Sequence, residues 1–209
     1  MRYPRPSDLP WIVLRLGRVH EGRAWGVLWI WLAWEKLVLR LHPVVPARTG
    51  ALFVFRIVRH RGRPVTLSDG VVIWSGARIV ELHLDNAQLA RLRRQPEFTT
   101  WSGVGHLRRD LAALAQRVAS GDHGQVEAIK GLSLLGQAGA TLGFECHPLP
   151  IRFGSRLQHY FMAGLDAVYH PDGLGRLAGR ARRRWPVESW MSAARLVGRY
   201  GTPARIGSE

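Results

Sequence analysis

Glu81, His83 and Asp85 occupy alternate positions in the run RIVELHLD, and alternate residues of a strand share one face, about 6.6 Å apart. Val80, Leu82 and Leu84 then turn to the opposite face, as a half-buried strand requires. A carboxylate beside an imidazole orients the ring and stabilises its protonated form, which is the arrangement of a general base. Glu81 and His83 are therefore candidate catalytic residues. His170 is a third, in the turn-like string His170-Pro171-Asp172-Gly173. One straight strand does not bring three side chains onto a single ion, and further ligands such as His147, His170 or Asp172 have no fixed place relative to it; no metal site and no cofactor is expected. The competing assignment is a solvated polar stripe with Asp85 or Asn86 capping the helix that follows. If the stripe is functional, Asp85 and Asn86 are ligand-binding candidates.

Cys146 and His147 are neighbours, so on a strand they face opposite ways and do not form a nucleophile and base with each other. A single cysteine also excludes an internal disulfide and a multi-cysteine zinc site, and Cys146 is expected to be a small core residue. The densest basic segment is Arg176, Arg180, Arg182, Arg183 and Arg184, followed by Trp185. Guanidinium forks grip phosphate and carboxylate groups bidentately, which makes these arginines ligand-binding candidates. A solvated basic loop is the plainer reading. Trp25 and Trp29, four apart, share one face of a helix, and with Arg15, Arg18 and Arg23 upstream they suit a membrane interface. The same helix also suits the role of apolar cover for a sheet.

The chain has 209 residues and a formal charge of +15, and all but two of its 30 cations, Lys36 and Lys130, are arginine. Such an excess favours anionic partners: lipid head groups, acidic polysaccharide or nucleic acid. Part of it also fits a biased composition. The most apolar stretch, Ala24 to Trp34, is 11 residues long, against the roughly 20 that a spanning helix needs. The expectation is a cytoplasmic protein, at most peripheral at the inner face of the membrane.

Three prolines in the first ten residues mark 1–23 as a basic arm; 24–201 reads as one domain and 202–209 as a tail. Residues 24–41 suggest a helix stopped by Pro43. From Leu52 the period becomes two, and turns at Gly62, Asp69-Gly70 and Ser75-Gly76 divide residues 52–85 into an antiparallel β-meander. A short helix follows over 87–94, then an amphipathic helix from His106 to Ser120 with Leu107, Leu111, Leu114 and Val118 on one face. Strands at 125–131 and 144–149 flank a short helix at 133–142, a compact βαβ-like unit. A helix at 155–169 and a strand at 188–191 precede a last helix capped by Ser192. The fold class is α+β: a meander covered by helices, with a helix-rich C-terminal half that adds strands.

The strings Arg63-Pro64-Val65-Thr66-Leu67-Ser68-Asp69-Gly70, Glu81-Leu82-His83-Leu84-Asp85-Asn86, Leu142-Gly143-Phe144-Glu145, Tyr169-His170-Pro171 and Trp190-Met191-Ser192 with Arg199-Tyr200-Gly201 resemble, in this order and spacing, the YkoP-like domain family. The resemblance spans about residues 25 to 201. It implies a bacterial domain that occurs alone or attached behind polysaccharide deacetylase domains, and it supplies no catalytic residues. This chain lacks the Asp-Asp and His-x-x-x-His metal strings of such deacetylases, so independent catalysis is not the expectation. The function this suggests is an accessory domain of cell-envelope polysaccharide modification that holds an anionic ligand or the membrane surface through its arginines, possible partner a polysaccharide deacetylase. Two alternatives stand beside it. A strand, a short helix and Gly143-Phe144-Glu145 resemble the end of acetyltransferase domains, which cradle pyrophosphate in a Gln/Arg-x-x-Gly-x-Gly/Ala loop at a helix N-terminus; the sequence offers no evident copy of that loop. A nucleic-acid-binding protein rests on charge alone.

Overall fold

The computed structural model describes residues 44–122, 124–133, 136–151, 155, 156, 158, 159, 162 and 185–201. The expected basic arm, the expected helix with Trp25 and Trp29, His170, and the arginines at 176, 180 and 182–184 lie outside the described residues.

Two runs rich in β-branched and aromatic residues form the longest strands, β2 (Phe53–Arg59) and β5 (Arg78–Leu84). They pair antiparallel along their whole length, from Phe53↔Leu84 to Arg59↔Arg78. The short β1 (Val45–Pro46) lies outside β2. On the other side of β5 comes β6 (Ala128–Ser133), which runs parallel to it. Parallel neighbours need a long crossover, and α1 (Asn86–Leu92) and α2 (Thr100–Ala119) supply it. Beyond β6 the chain forms α3 (Gly136–Thr141) and β7 (Glu145–Pro148), and later β8 (Val187–Ser192) and α4 (Ala193–Tyr200). β8 slots between β6 and β7, antiparallel to both, giving the sheet order β1-β2-β5-β6-β8-β7. The architecture is α+β.

Two features depart from the sequence pattern. The meander is interrupted: β3 (Val65–Thr66) and β4 (Val72–Ile73) pair only with each other, as a hairpin outside the main sheet. Where the chain leaves β2, the His60 side chain is buried on the face that the hairpin covers, edge-on to Trp190 with ring centroids 5.3 Å apart. The hairpin turns where Asp69-Gly70 directs it; Gly70 takes φ 82°, and Leu67 donates to the Val71 carbonyl at 2.9 Å. The β6–α3–β7 segment is also not a simple βαβ unit, since β8 intervenes between its strands.

Each sheet face has its own core. On one, Phe55, Val80, Leu82, Ile129 and Met191 meet Leu111, Leu114 and Ala115 of α2 and Leu196 of α4. On the other, Leu67 and Ile73 of the hairpin, with Ala77, cover Ile79, Ala128 and Trp190. Ser192 caps α4 as its sequence position implied, accepting from the Arg195 N–H at 3.0 Å. α2 begins at Thr100 and not at His106, because Thr99 and Ser102 cap each other's backbone N–H groups reciprocally.

In the middle of the apolar face of α2 sits Asp110, fully buried. Its Oδ2 accepts the N–H groups of Leu52 at 2.7 Å and Phe53 at 3.0 Å, and its Oδ1 lies 2.7 Å from Arg48 Nε. One carboxylate thus fixes the entry of β2 against the crossover helix. Asp110→Ala strands both N–H groups and takes the carboxylate from Arg48; urea unfolding is expected to show a loss of about 3 kcal/mol. Asp110→Asn keeps an acceptor oxygen and should lose less.

Candidate functional site

On the hairpin-covered face, alternate residues line up across five strands: Arg56↔Glu81, Glu81↔Lys130, Lys130↔Trp190 and Trp190↔Glu145. The hairpin takes the half of this face that carries Ile79, Ala128 and Trp190. It is tied down there by Ser192 Oγ, 2.5 Å from Asp69 Oδ2, by the Ser68 N–H and hydroxyl, which donate to the Glu145 carboxylate, and by Arg195, which pairs with Glu145 at 3.1 Å. The charged half stays accessible, from 22% exposure at Lys130 to 44% at His83.

Two ion pairs organise this half. Arg56 Nη2 and Nε approach Glu81 Oε2 at 2.5 and 2.6 Å. Lys130 Nζ, although it opposes Glu81 in register, reaches Glu188 Oε1 at 2.7 Å and lies 5.0 Å from the centre of the Trp190 ring. Trp190 Nε1 donates to the other Glu188 oxygen at 3.3 Å. His83 Nε2 lies 3.6 Å from the Glu81 oxygen that Arg56 holds. The two cations Arg56 and Lys130 are matched by the two carboxylates Glu81 and Glu188, so the cluster itself carries little net charge.

The His83 imidazole above all, and then the Arg56 guanidinium, hold the Glu81 carboxyl down at about 2 against the desolvation that would raise it. A carboxylate that weakly basic is a poor proton acceptor near neutral pH. Of the two groups, the His83 imidazole is the one that could accept a proton, with the Glu81 carboxylate beside it. Asp85 does not join them: it caps α1, accepting the Gln88 N–H at 2.9 Å, and Asn86 is the first residue of that helix. His147 opposes Glu188 across β7 and β8 on the same face, while Cys146 sits on the other face, its Sγ 3.6 Å from Ser189 Oγ and only part-buried. Among the described residues no three His, Cys, Asp or Glu side chains converge as metal ligands.

His83 stands where the sheet opens. The parallel β5–β6 ladder runs from Ile79↔Ala128 to Leu82↔Gly131 and stops, yet both strands continue for two residues: His83 and Leu84 on β2, Leu132 and Ser133 on β8. Two parallel strands that part at their carboxyl ends leave a seam, and crevices of α/β sheets that hold ligands lie at such ends. The crossover returns antiparallel to the strands, so α2 starts from this end of the sheet. Its opening residues Thr100-Trp101-Ser102-Gly103-Val104-Gly105 carry two glycines within the first turns of the helix. The Phe98 ring lies over Gly103, where an added Cβ would come within 3.1 Å of it. Arg56, Lys130 and Glu188 are the members of the cluster that the sequence pattern does not single out; their one signal is charge in the middle of otherwise apolar strands.

Because the folded carboxyl of Glu81 titrates below its ordinary 4.5, at about 2, its ionised form stabilises the fold above 4.5 and that contribution fades as pH falls from there towards 2. Glu81→Gln should remove this stretch of acid sensitivity in urea unfolding at stepped pH, on the order of 1 kcal/mol after solvent screening.

Among proteins of known kind, neither a curated protein nor a solved structure matches the chain significantly. The YkoP domain model matches residues 25–200, a span that contains both strands of the seam, the crossover between them and every residue of the charged cluster. The chain belongs to the YkoP domain family.

Proposed function

We propose that this domain is of the acyltransferase kind: it binds an anionic acyl thioester at the seam between β5 and β6 and transfers the acyl group to a hydroxyl or amine of an envelope polysaccharide. The observation that carries the reading is the parting of the two parallel strands after Leu82↔Gly131 with His83 at the mouth. Glycines in the opening turns of α2 and the string Gly143-Phe144-Glu145 support it.

In this reaction His83 accepts the proton of the attacking hydroxyl or amine. With Nε2 turned towards Glu81, Nδ1 is the nitrogen left for that task. The freed lone pair bonds to the thioester carbonyl carbon, the carbon–sulfur bond breaks, and the departing thiolate takes the proton back from the imidazole. The polysaccharide setting follows the family likeness to domains attached to deacetylases, which would make such an enzyme a partner here. Among the described residues no helix is long and apolar enough to cross a membrane; a peripheral place at the inner membrane face, held through the arginine excess, is part of the same proposal.

Calorimetry with acetyl-coenzyme A as the probe donor, and acetyl transfer to a glucosamine oligomer, test the reading. Donor binding is expected, and His83→Ala should lower turnover by roughly 10²–10⁴-fold with donor affinity unchanged. Failure of the unaltered chain to bind the donor would refute it.

A further inference from the structure

At the opposite end of β5 from the seam, two loops form one rigid unit. Gly76 donates to the His60 carbonyl at 2.7 Å, His60 to the Ala77 carbonyl at 2.8 Å, and the Arg59 guanidinium to the Gly76 carbonyl at 3.0 Å. The buried His60 ring, besides its contact with Trp190, bonds through Nε2 to the Arg63 carbonyl at 2.8 Å. Gly62 fits beneath that ring only because it lacks a side chain; a Cβ there would stand 2.7 Å from His60 Cε1. Gly76 takes φ 91°, closing the turn on Trp74.

What this unit presents to solvent is Trp74, 63% exposed, together with Arg59, Arg61 and Arg63, all exposed. None of the three guanidiniums forms an ion pair with a described residue. A fixed loop that holds a large aromatic ring in water beside unpaired cations has the composition of an interfacial anchor: the indole enters the head-group layer while arginines meet lipid phosphates. From these observations we infer that the Trp74–Arg61–Arg63 edge docks on an anionic phospholipid surface. The inference rests on the peripheral placement proposed above and assigns it a surface. Docked this way, the seam stands off the head groups by the length of β5, roughly 20 Å at 3.3 Å per residue.

Co-sedimentation of the full chain with vesicles of equal parts phosphatidylglycerol and phosphatidylcholine, against phosphatidylcholine alone, tests this. Binding is expected only to the anionic vesicles. The Arg61→Ala, Arg63→Ala double variant should weaken it by roughly fivefold per arginine, and Trp74→Ala should weaken it with no change in thermal midpoint. If the unaltered chain binds neither vesicle, the peripheral placement fails and the docking edge with it. If it binds and both variants bind equally well, only the assignment of this edge is overturned. Retention on heparin that depends on the same residues, without vesicle binding, would give the edge to an acidic polysaccharide and overturn the lipid proposal.

Discussion

Because β5 and β6 lie side by side and parallel, the chain between them must travel back along the whole sheet before the second strand can begin. That one constraint organises the molecule. It is met by the long helix α2, whose Leu111, Leu114 and Ala115 pack on one face. It directs the start of that helix to the carboxyl ends of the strands, where the ladder gives out. It also leaves β6 with a free outer edge, which β8 fills antiparallel. Asp110 ties the arrangement to the first long strand by bonding helix to the backbone of Leu52 and Phe53, so the crossover and the antiparallel β2–β5 pair form one body.

The two faces divide the work. The helix side is dry and closely packed, while the hairpin covers only half of the other side and leaves Arg56, Glu81, His83, Lys130 and Glu188 within reach of water. These charges are already paired with one another. The net +15 of the chain is therefore not discharged at this site, and a phosphate polymer gains little there. Arg59, Arg61 and Arg63, which form no ion pair with a described residue, stand elsewhere, at the edge that carries Trp74. Chemistry and attachment on this account occupy opposite ends of the same strand.

Much of this was legible in the residues. Alternation placed Glu81 and His83 together on β5 and sent Cys146 and His147 to opposite faces. Asp69-Gly70 and Ser192 announced a turn and a helix cap through local hydrogen bonding alone. What stayed hidden depends on residues far apart in the chain. Alternation in β3 and β4 says nothing about which sheet they join; the packing of Leu67 and Ile73 over Ile79, Ala128 and Trp190 depends on residues far away in the chain. Nothing local distinguishes the parallel β5–β6 pair from an antiparallel one. Arg56, Lys130 and Glu188 reach the site through cross-strand register, and Ser102 closes a capping box in which Glu or Gln is the usual signal.

The central claim is that a ligand enters where β5 and β6 part. Backbone amide hydrogen exchange with and without acetyl-coenzyme A tests it most directly. The account predicts added protection in residues 82–85, 131–133 and the opening turns of α2, with the β2–β5 ladder unchanged. Protection confined to other segments, or none at a donor concentration that saturates binding, would contradict it.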